Sequence, residues 1–169
     1  MALEAIAGGK VVVEKILQID PQKCTGCRQC EIVCAIRCNA SGNPSVSRIR
    51  VFEWMKSSFF VPVVCPQCEE APCLAACPRE VIYRDKLFNR IMVDYGRCVS
   101  CRMCVAACPF GAMGFDMPRQ MVFKCDLCDG DPQCVKFCYP GALSYTRPET
   151  LQYEHIRHAA RNQAGVKAS

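Results

Sequence analysis

Sixteen of the 17 cysteines in this 169-residue chain fall into four groups of four. Cys24, Cys27, Cys30 and Cys34 are spaced C-x2-C-x2-C-x3-C, and Cys98, Cys101, Cys104 and Cys108 repeat that spacing ahead of Pro109. Cys65, Cys68, Cys73 and Cys77 widen the second gap to four residues and precede Pro78. Cys125, Cys128, Cys134 and Cys138 widen it to five, with Pro140 two residues on. Three thiolates at C-x2-C-x2-C share one tight loop that can wrap a face of an iron–sulfur cubane, with backbone N–H groups aimed at the sulfurs. The fourth cysteine, at the start of a helix, points elsewhere. Four groups of this kind imply four [4Fe–4S] clusters.

Two other uses of the thiols compete. Disulfides are disfavoured by the odd count and by the start MALEAIAGGKVVVEKI. It has neither the charged, apolar and small-residue succession of a signal peptide nor a twin-Arg pair. Without an export signal the cysteines are expected to meet a reducing cytosol, where such spacing favours metal. Zinc on four cysteines at each of four sites is the second alternative. Structural zinc usually draws C-x2-C pairs from two knuckles about 15–20 residues apart, whereas here four thiols crowd each short segment. A zinc-stabilised interaction module is therefore the distant reading.

Composition points the same way. Taking the cysteines out of the 51% hydrophobic residues leaves about 41%, slightly low for a globular chain. Bound metal is one way to make up such a deficit. The formal charge of +5 counts every cysteine as neutral, and four thiolate-ligated cubanes bring the loaded protein to roughly −3. The basic balance is thus no argument for nucleic acid, and no Lys/Arg block or aromatic-interleaved stripe supports one. No run of about 18 apolar residues is present for a membrane helix. A soluble, cytoplasmic protein with no nucleic-acid partner and no membrane insertion is expected.

Other candidate residues carry less. Cys38 stands outside the four groups, either as a fifth ligand or redox thiol or, as favoured here, as a small buried hydrophobe beside a cluster loop. Arg28, Arg102 and Lys136 lie inside the loops and are either stabilisers of a reduced, more negative cluster or solvated cations. His155 and His158 stand at i, i+3 without a third ligand and read as a polar helix face. No P-loop, GxGxxG or carboxylate pair suggests catalysis, and Ala7–Gly9 is part of a terminus.

Short elements must position these loops. Val11–Asp20 reads as a strand entering the first group, with a turn at Asp20-Pro21. Val46 to Trp54, Phe59–Val64, Met121–Phe123 and Ala142–Tyr145 read as strands, and Val81–Tyr83 with Ile91–Val93 as a hairpin around Asp85–Arg90. One- to two-turn helices surround each third cysteine, such as Gln29–Ile36 and Met103–Ala107, with proline stopping those of groups two and three. Ser41–Ser45 is a turn-rich insertion. A last helix is expected from Pro148 to about Arg161.

DPQKCTGCRQCEIVC, CPQCEEAPCLAACP, GRCVSCRMCVAACPFGA and KCDLCDGDPQCVKFCYPGAL resemble the cysteine groups of four-cluster, ferredoxin-like electron-transfer subunits. Such subunits serve molybdenum and tungsten enzymes, including dimethyl sulfoxide reductase, formate dehydrogenase and aldehyde oxidoreductase, as well as some hydrogenases and carbon monoxide dehydrogenase. The resemblance spans Asp20 to about Thr146. It implies that group one pairs with group four and group two with group three, giving four ligand sets. These are Cys24, Cys27, Cys30 and Cys138; Cys34, Cys125, Cys128 and Cys134; Cys65, Cys68, Cys73 and Cys108; and Cys77, Cys98, Cys101 and Cys104. One departure is Ala35, which follows Cys34 where many such motifs have proline.

The implied fold is α+β. Two bacterial-ferredoxin-like units, each a βαβ-type pseudo-repeat with short antiparallel hairpins, share residues 1–146, the unit of groups two and three being inserted in the other. Residues 147–169 form a C-terminal docking extension. The implied function is non-catalytic: single electrons pass along four clusters between a catalytic oxidoreductase subunit and another carrier. A small chain without an anchor looks most like the iron–sulfur subunit of a tungsten (or molybdenum) pterin aldehyde oxidoreductase. A hydrogenase, formate dehydrogenase or carbon monoxide dehydrogenase partner is the alternative. The other carrier is expected to be a flavin/NAD subunit or further copies of the chain.

If clusters replace much of the core, chelating the iron unfolds the chain, as circular dichroism and the loss of brown colour would show together. A metal-free protein that still melts cooperatively would contradict this.

Overall fold

The computed structural model describes residues 6–7, 10–11, 15–40, 42–54 and 59–149. Within them, ten short strands form five two-stranded antiparallel sheets. Four are local hairpins: β1 (Ile6–Ala7) with β2 (Lys10–Val11), β4 (Ile49–Trp54) with β5 (Phe59–Val64), β6 (Ile82–Asp85) with β7 (Arg90–Val93), and β8 (Gly114–Asp116) with β9 (Met121–Phe123). The fifth pairs β3 (Ile16–Ile19) with β10 (Leu143–Thr146), Ile19 opposite Leu143. That long-range pairing draws the first cysteine group to the fourth.

Helix α1 spans Gln29–Asn39, while α2 (Pro72–Ala75), α3 (Met103–Ala106) and α4 (Gln133–Lys136) are single turns. Each contains the third cysteine of its group. The short ones stop ahead of Pro78, Pro109 and Pro140, because proline pushes the residue before it out of helical conformation. Ala35 imposes no such limit. Helix α1 therefore runs three residues past the expected Ile36 and ends only where Ala40 turns left-handed, its N–H bonded to the Ile36 carbonyl. The extra turn carries Cys38.

Two further expectations need correcting. Val46 lies in a 3-10 turn, Pro44–Val46, held by the Asn43 side chain, and the strand starts only at Ile49. Strand β8 was not expected, since Gly114-Phe115-Asp116 has too little alternation to read as one. It forms because Gly114, opposite Phe123, leaves room for the Phe123 ring where any Cβ would lie 2.3 Å away. Strands β5, β6, β7, β9 and β10 fall within a residue or two of expectation, whereas β1 was not expected and the strand expected over Val11–Asp20 is described as β2 near its start and β3 near its end. Val12–Glu14, the helix beyond Glu149, and His155 and His158 lie outside the described residues, as do Gly8 and Gly9.

The apolar core comes in two parts. Ile49, Val51, Val64, Leu127 and Leu143 pack with Cys30, Cys34, Cys125 and Cys134. Val81, Ile82, Ile91, Val93, Met113 and Val122 pack with Cys104. Buried Glu31 accepts the Val51 N–H at 2.7 Å, fastening α1 to β4. Arg90 bridges the two parts: it leaves β7 to pair with Asp85 and Asp129, each at 2.9 Å, and donates to the Asp126 carbonyl.

Gly26, between Cys24 and Cys27, has φ +71° and faces the Phe60 ring at 2.6 Å from where a Cβ would stand. Gly26→Ala is expected to lower stability by about 1–3 kcal/mol. Gly111→Ala, at φ +61° with open space around it, meets only the backbone penalty. Thermal unfolding of both variants separates the two effects.

Candidate cluster-binding sites

Four cavities open to solvent, each with about 310–350 Å³ of space including its mouth, are lined with sulfur. Cys24, Cys27, Cys30 and Cys138 line the first. Cys34, Cys125, Cys128 and Cys134 line the second, together with Cys38. The third takes Cys65, Cys68, Cys73 and Cys108, and the fourth Cys77, Cys98, Cys101 and Cys104. Left-handed residues such as Arg28, Gln67, Ser100, Arg102 and Cys128 curl the loops around these spaces.

The short helices join the cavities into a row. Helix α1 places Cys30 in the first and Cys34, one turn on, in the second. Helix α4 and the residues after it place Cys134 in the second and Cys138 in the first. In the same way Cys73 and Cys104 go with Cys108 and Cys77 across the third and fourth. Gln67, in the loop of the third cavity, donates to the Cys125 carbonyl of the second at 2.9 Å. The third and second cavities thus adjoin. Only Cys27, in the first, and Cys101, in the fourth, are exposed among the cysteines.

The donor set suits a multi-atom metal core that takes thiolate ligands and is anionic once they are counted. Among the described residues, no three His, Cys, Asp or Glu side chains converge on a single-ion site. The thiols instead ring a space. Burial pushes Cys30 and Cys125 up to about 12 and Cys104 up to about 11. Such thiols lose their protons at neutral pH only where a bound metal cation takes the proton's place on sulfur. Each wall also includes a cation: Arg28 at the first, Arg48 at the second, Lys124 at the third, Arg79 and Arg102 at the fourth.

The loop cations singled out in the sequence turn out to be exposed. Arg28 faces solvent, the Arg102 guanidinium lies 4.4 Å from the Phe115 ring centroid, and Lys136 pairs with Asp131. The buried and half-buried polar residues were missed. Arg48 pairs with Asp126 at 2.6 Å, and its backbone N–H donates to Cys34 Sγ at 3.3 Å. Arg84 donates to the Cys68 and Glu69 carbonyls and so holds the loop of the third cavity. Lys124, 3% exposed, was legible in principle: it stands just past the end of β9, two residues after buried Val122 and so in step with it.

Cys38 lies half-buried, packed against the first core, with its Sγ 4.0 Å from Cys34 Sγ. Cys34 also receives the Arg48 N–H, so it is the better acceptor and Cys38 the donor thiol. This contact, more than any other, holds the Cys34 thiol below its ordinary range.

Comparison with known proteins gives matches along most of the chain. Residues 56–147 match the 4Fe-4S dicluster domain, and residues 17–34 the 4Fe-4S binding domain. The polyferredoxin-like subunit of an aliphatic sulfonate oxidoreductase from Pyrococcus furiosus is 39% identical over 146 residues, covering 86% of this chain and 84% of the relative. Electron transport protein HydN of Escherichia coli is 35% identical over 176 aligned positions, covering 88% and 98%. The beta subunit of an NADH-dependent phenylglyoxylate dehydrogenase from Aromatoleum evansii is 33% identical over 140 residues, covering 82% of this chain but 31% of that longer one.

Cys38→Ala is expected to keep the iron content of the parent, whereas Cys125→Ala loses up to about four iron per chain. Metal analysis of the two variants purified without oxygen checks this; loss of iron from Cys38→Ala would make Cys38 a ligand.

Proposed function

Because this chain belongs to the 4Fe-4S dicluster family, whose domain spans residues 56–147, we propose that it carries four [4Fe–4S] clusters as the electron-transfer subunit of an oxidoreductase. The proposed ligand sets are the four cysteines of each cavity named above, with Cys38 as a neighbour. What carries the reading is the row of four sulfur-lined cavities, exposed at Cys27 and at Cys101 and shielded between. When bound, such a cluster takes up and returns one electron at a time.

The chain's own part is to hold, space and shield. Thiolates bind the iron, the short helices fix neighbouring sites one turn apart, and core side chains such as Ile49, Val64, Ile91 and Met113 line the inner cavities. Apolar side chains stand exposed at both ends of the row: Phe137 and Tyr139 flank Cys138, and Val99 and Met103 neighbour Cys101. Such surfaces suit partner docking. We assign one to a catalytic subunit and the other to a second carrier. A non-catalytic role is supported by the relatives' names, which are those of electron carriers and oxidoreductase subunits.

The proposed organisation is nested, with a unit built on groups two and three set within one built on groups one and four. The two-part core and the β3–β10 pairing support it. For the catalytic partner we propose a tungsten- or molybdenum-pterin enzyme of the aldehyde-oxidising kind. The resemblance of the four cysteine groups supports it, and the Pyrococcus furiosus relative supports an oxidoreductase partner more broadly. Among the described residues no helix is long and apolar enough to cross a membrane.

Metal analysis of the chain isolated with its partners, without oxygen, tests the whole reading. About sixteen iron per chain is expected for four cubanes, accompanied by tungsten or molybdenum. Nickel in their place would move the partner to a hydrogenase or carbon monoxide dehydrogenase. Roughly four zinc and no iron would end the electron-transfer reading.

A further inference from the structure

The buried and half-buried cations differ in how they are neutralised. Arg90, 7% exposed, has two carboxylates at 2.9 Å, and Arg48 has Asp126 at 2.6 Å. Lys124 is more deeply buried, yet its partners are neutral. Its Nζ donates to the Ile91 carbonyl at 2.5 Å, the Cys125 carbonyl at 2.8 Å and Gln67 Oε1 at 3.1 Å. Three acceptors for three N–H bonds describe a satisfied ammonium. They do not describe a compensated charge, and an isolated buried charge is costly.

The place of Lys124 supplies the missing anion. It lines the third cavity, and it is bonded both in chain and by hydrogen bond to Cys125, which lines the second. Gln67, its side-chain partner, lies between Cys65 and Cys68 and also takes the Ile91 N–H at 2.8 Å. The ammonium is therefore fixed at the junction of the two inner sites, away from the two ends of the row.

We propose that Lys124 is the fixed counter-charge of the two inner cluster sites, raising their reduction potentials above those of the end sites. This rests on the four-cluster reading. A positive charge held in a poorly polarisable surrounding favours the reduced, more negative state of whatever it faces, and it does so more strongly at short range. Exposed loop cations are screened by solvent and act weakly by comparison. The result is a row whose middle holds an electron better than either end. An electron delivered at one docking surface is retained at the junction until the other carrier is in place.

Redox titration of the full chain, followed by electron paramagnetic resonance, tests this with Lys124→Gln and Lys124→Arg. In Lys124→Gln the reduction equilibrium constants of two of the four clusters are expected to fall about tenfold, which is about 59 mV for one electron, and the other two to stay. Lys124→Arg keeps the charge and should keep all four. Four unmoved potentials in Lys124→Gln at full iron, or an equal fall in all four, would overturn the proposal. Should Lys124→Gln lose iron, Gln67→Glu decides, since it sets a carboxylate against the same ammonium: the same two potentials fall, or the proposal is wrong. A parent chain without iron fails the electron-transfer reading itself; full iron with unmoved potentials fails only the role of Lys124.

Discussion

Cysteine sulfur stands where a chain of this length would otherwise place leucine and isoleucine, and that substitution governs the rest of the structure. Cys30, Cys34, Cys125 and Cys134 are buried within the first apolar core, and Cys104 within the second. Neither core closes on itself as a continuous apolar mass, since each borders two sulfur-lined spaces. The hairpins are short, and three of the four helices are single turns. Isolated elements of that size are marginal in water. Short elements of this kind gain from what the loops enclose, since a metal core that binds only the folded chain adds its binding energy to folding.

Charge is arranged around that arrangement of sulfur with some care about depth. At the surface, cations meet aspartates across short turns, as in Arg97 with Asp94 and Lys23 with Asp20. Exposed pairs of this kind contribute little to stability. Deeper in, Arg48 and Arg90 bring carboxylates with them and use the remaining N–H groups to tie the fourth cysteine loop to β7 and to the turn before β4. Lys124 has only carbonyl and amide oxygens about it. The difference separates cations that serve architecture from one whose charge is left over for the cofactor.

Much of this was legible in the sequence because cysteine spacing is a strong local constraint. The loops, the helix at each third cysteine, the hairpin around Asp85–Arg90 and the strands at Phe59–Val64 and Met121–Phe123 all follow from spacing, proline and alternation. The misses have particular causes. Strand β8 exists through the packing of Phe123 over Gly114, a contact between partners that no single-strand pattern contains. Helix α1 outran its expected end because an absent proline is a weaker cue than a present one. Lys124 was passed over in favour of Arg28, Arg102 and Lys136 because proximity to a motif was weighed ahead of burial. Its parity with Val122 was the better guide.

The β3–β10 pairing has a consequence for how the molecule comes into being. Synthesis runs from the N-terminus, so Cys24 leaves the ribosome well before Cys138, its neighbour across the first cavity. Everything from Cys65 to Cys108 is made in between, and its two cavities have all their walls once the chain reaches Lys124, still ahead of Cys138. The inner segment can mature while the earlier loop is still waiting for its last wall. A nested chain of this kind is finished from the inside outward, and the end of the row that includes Cys27 is the last to be sealed.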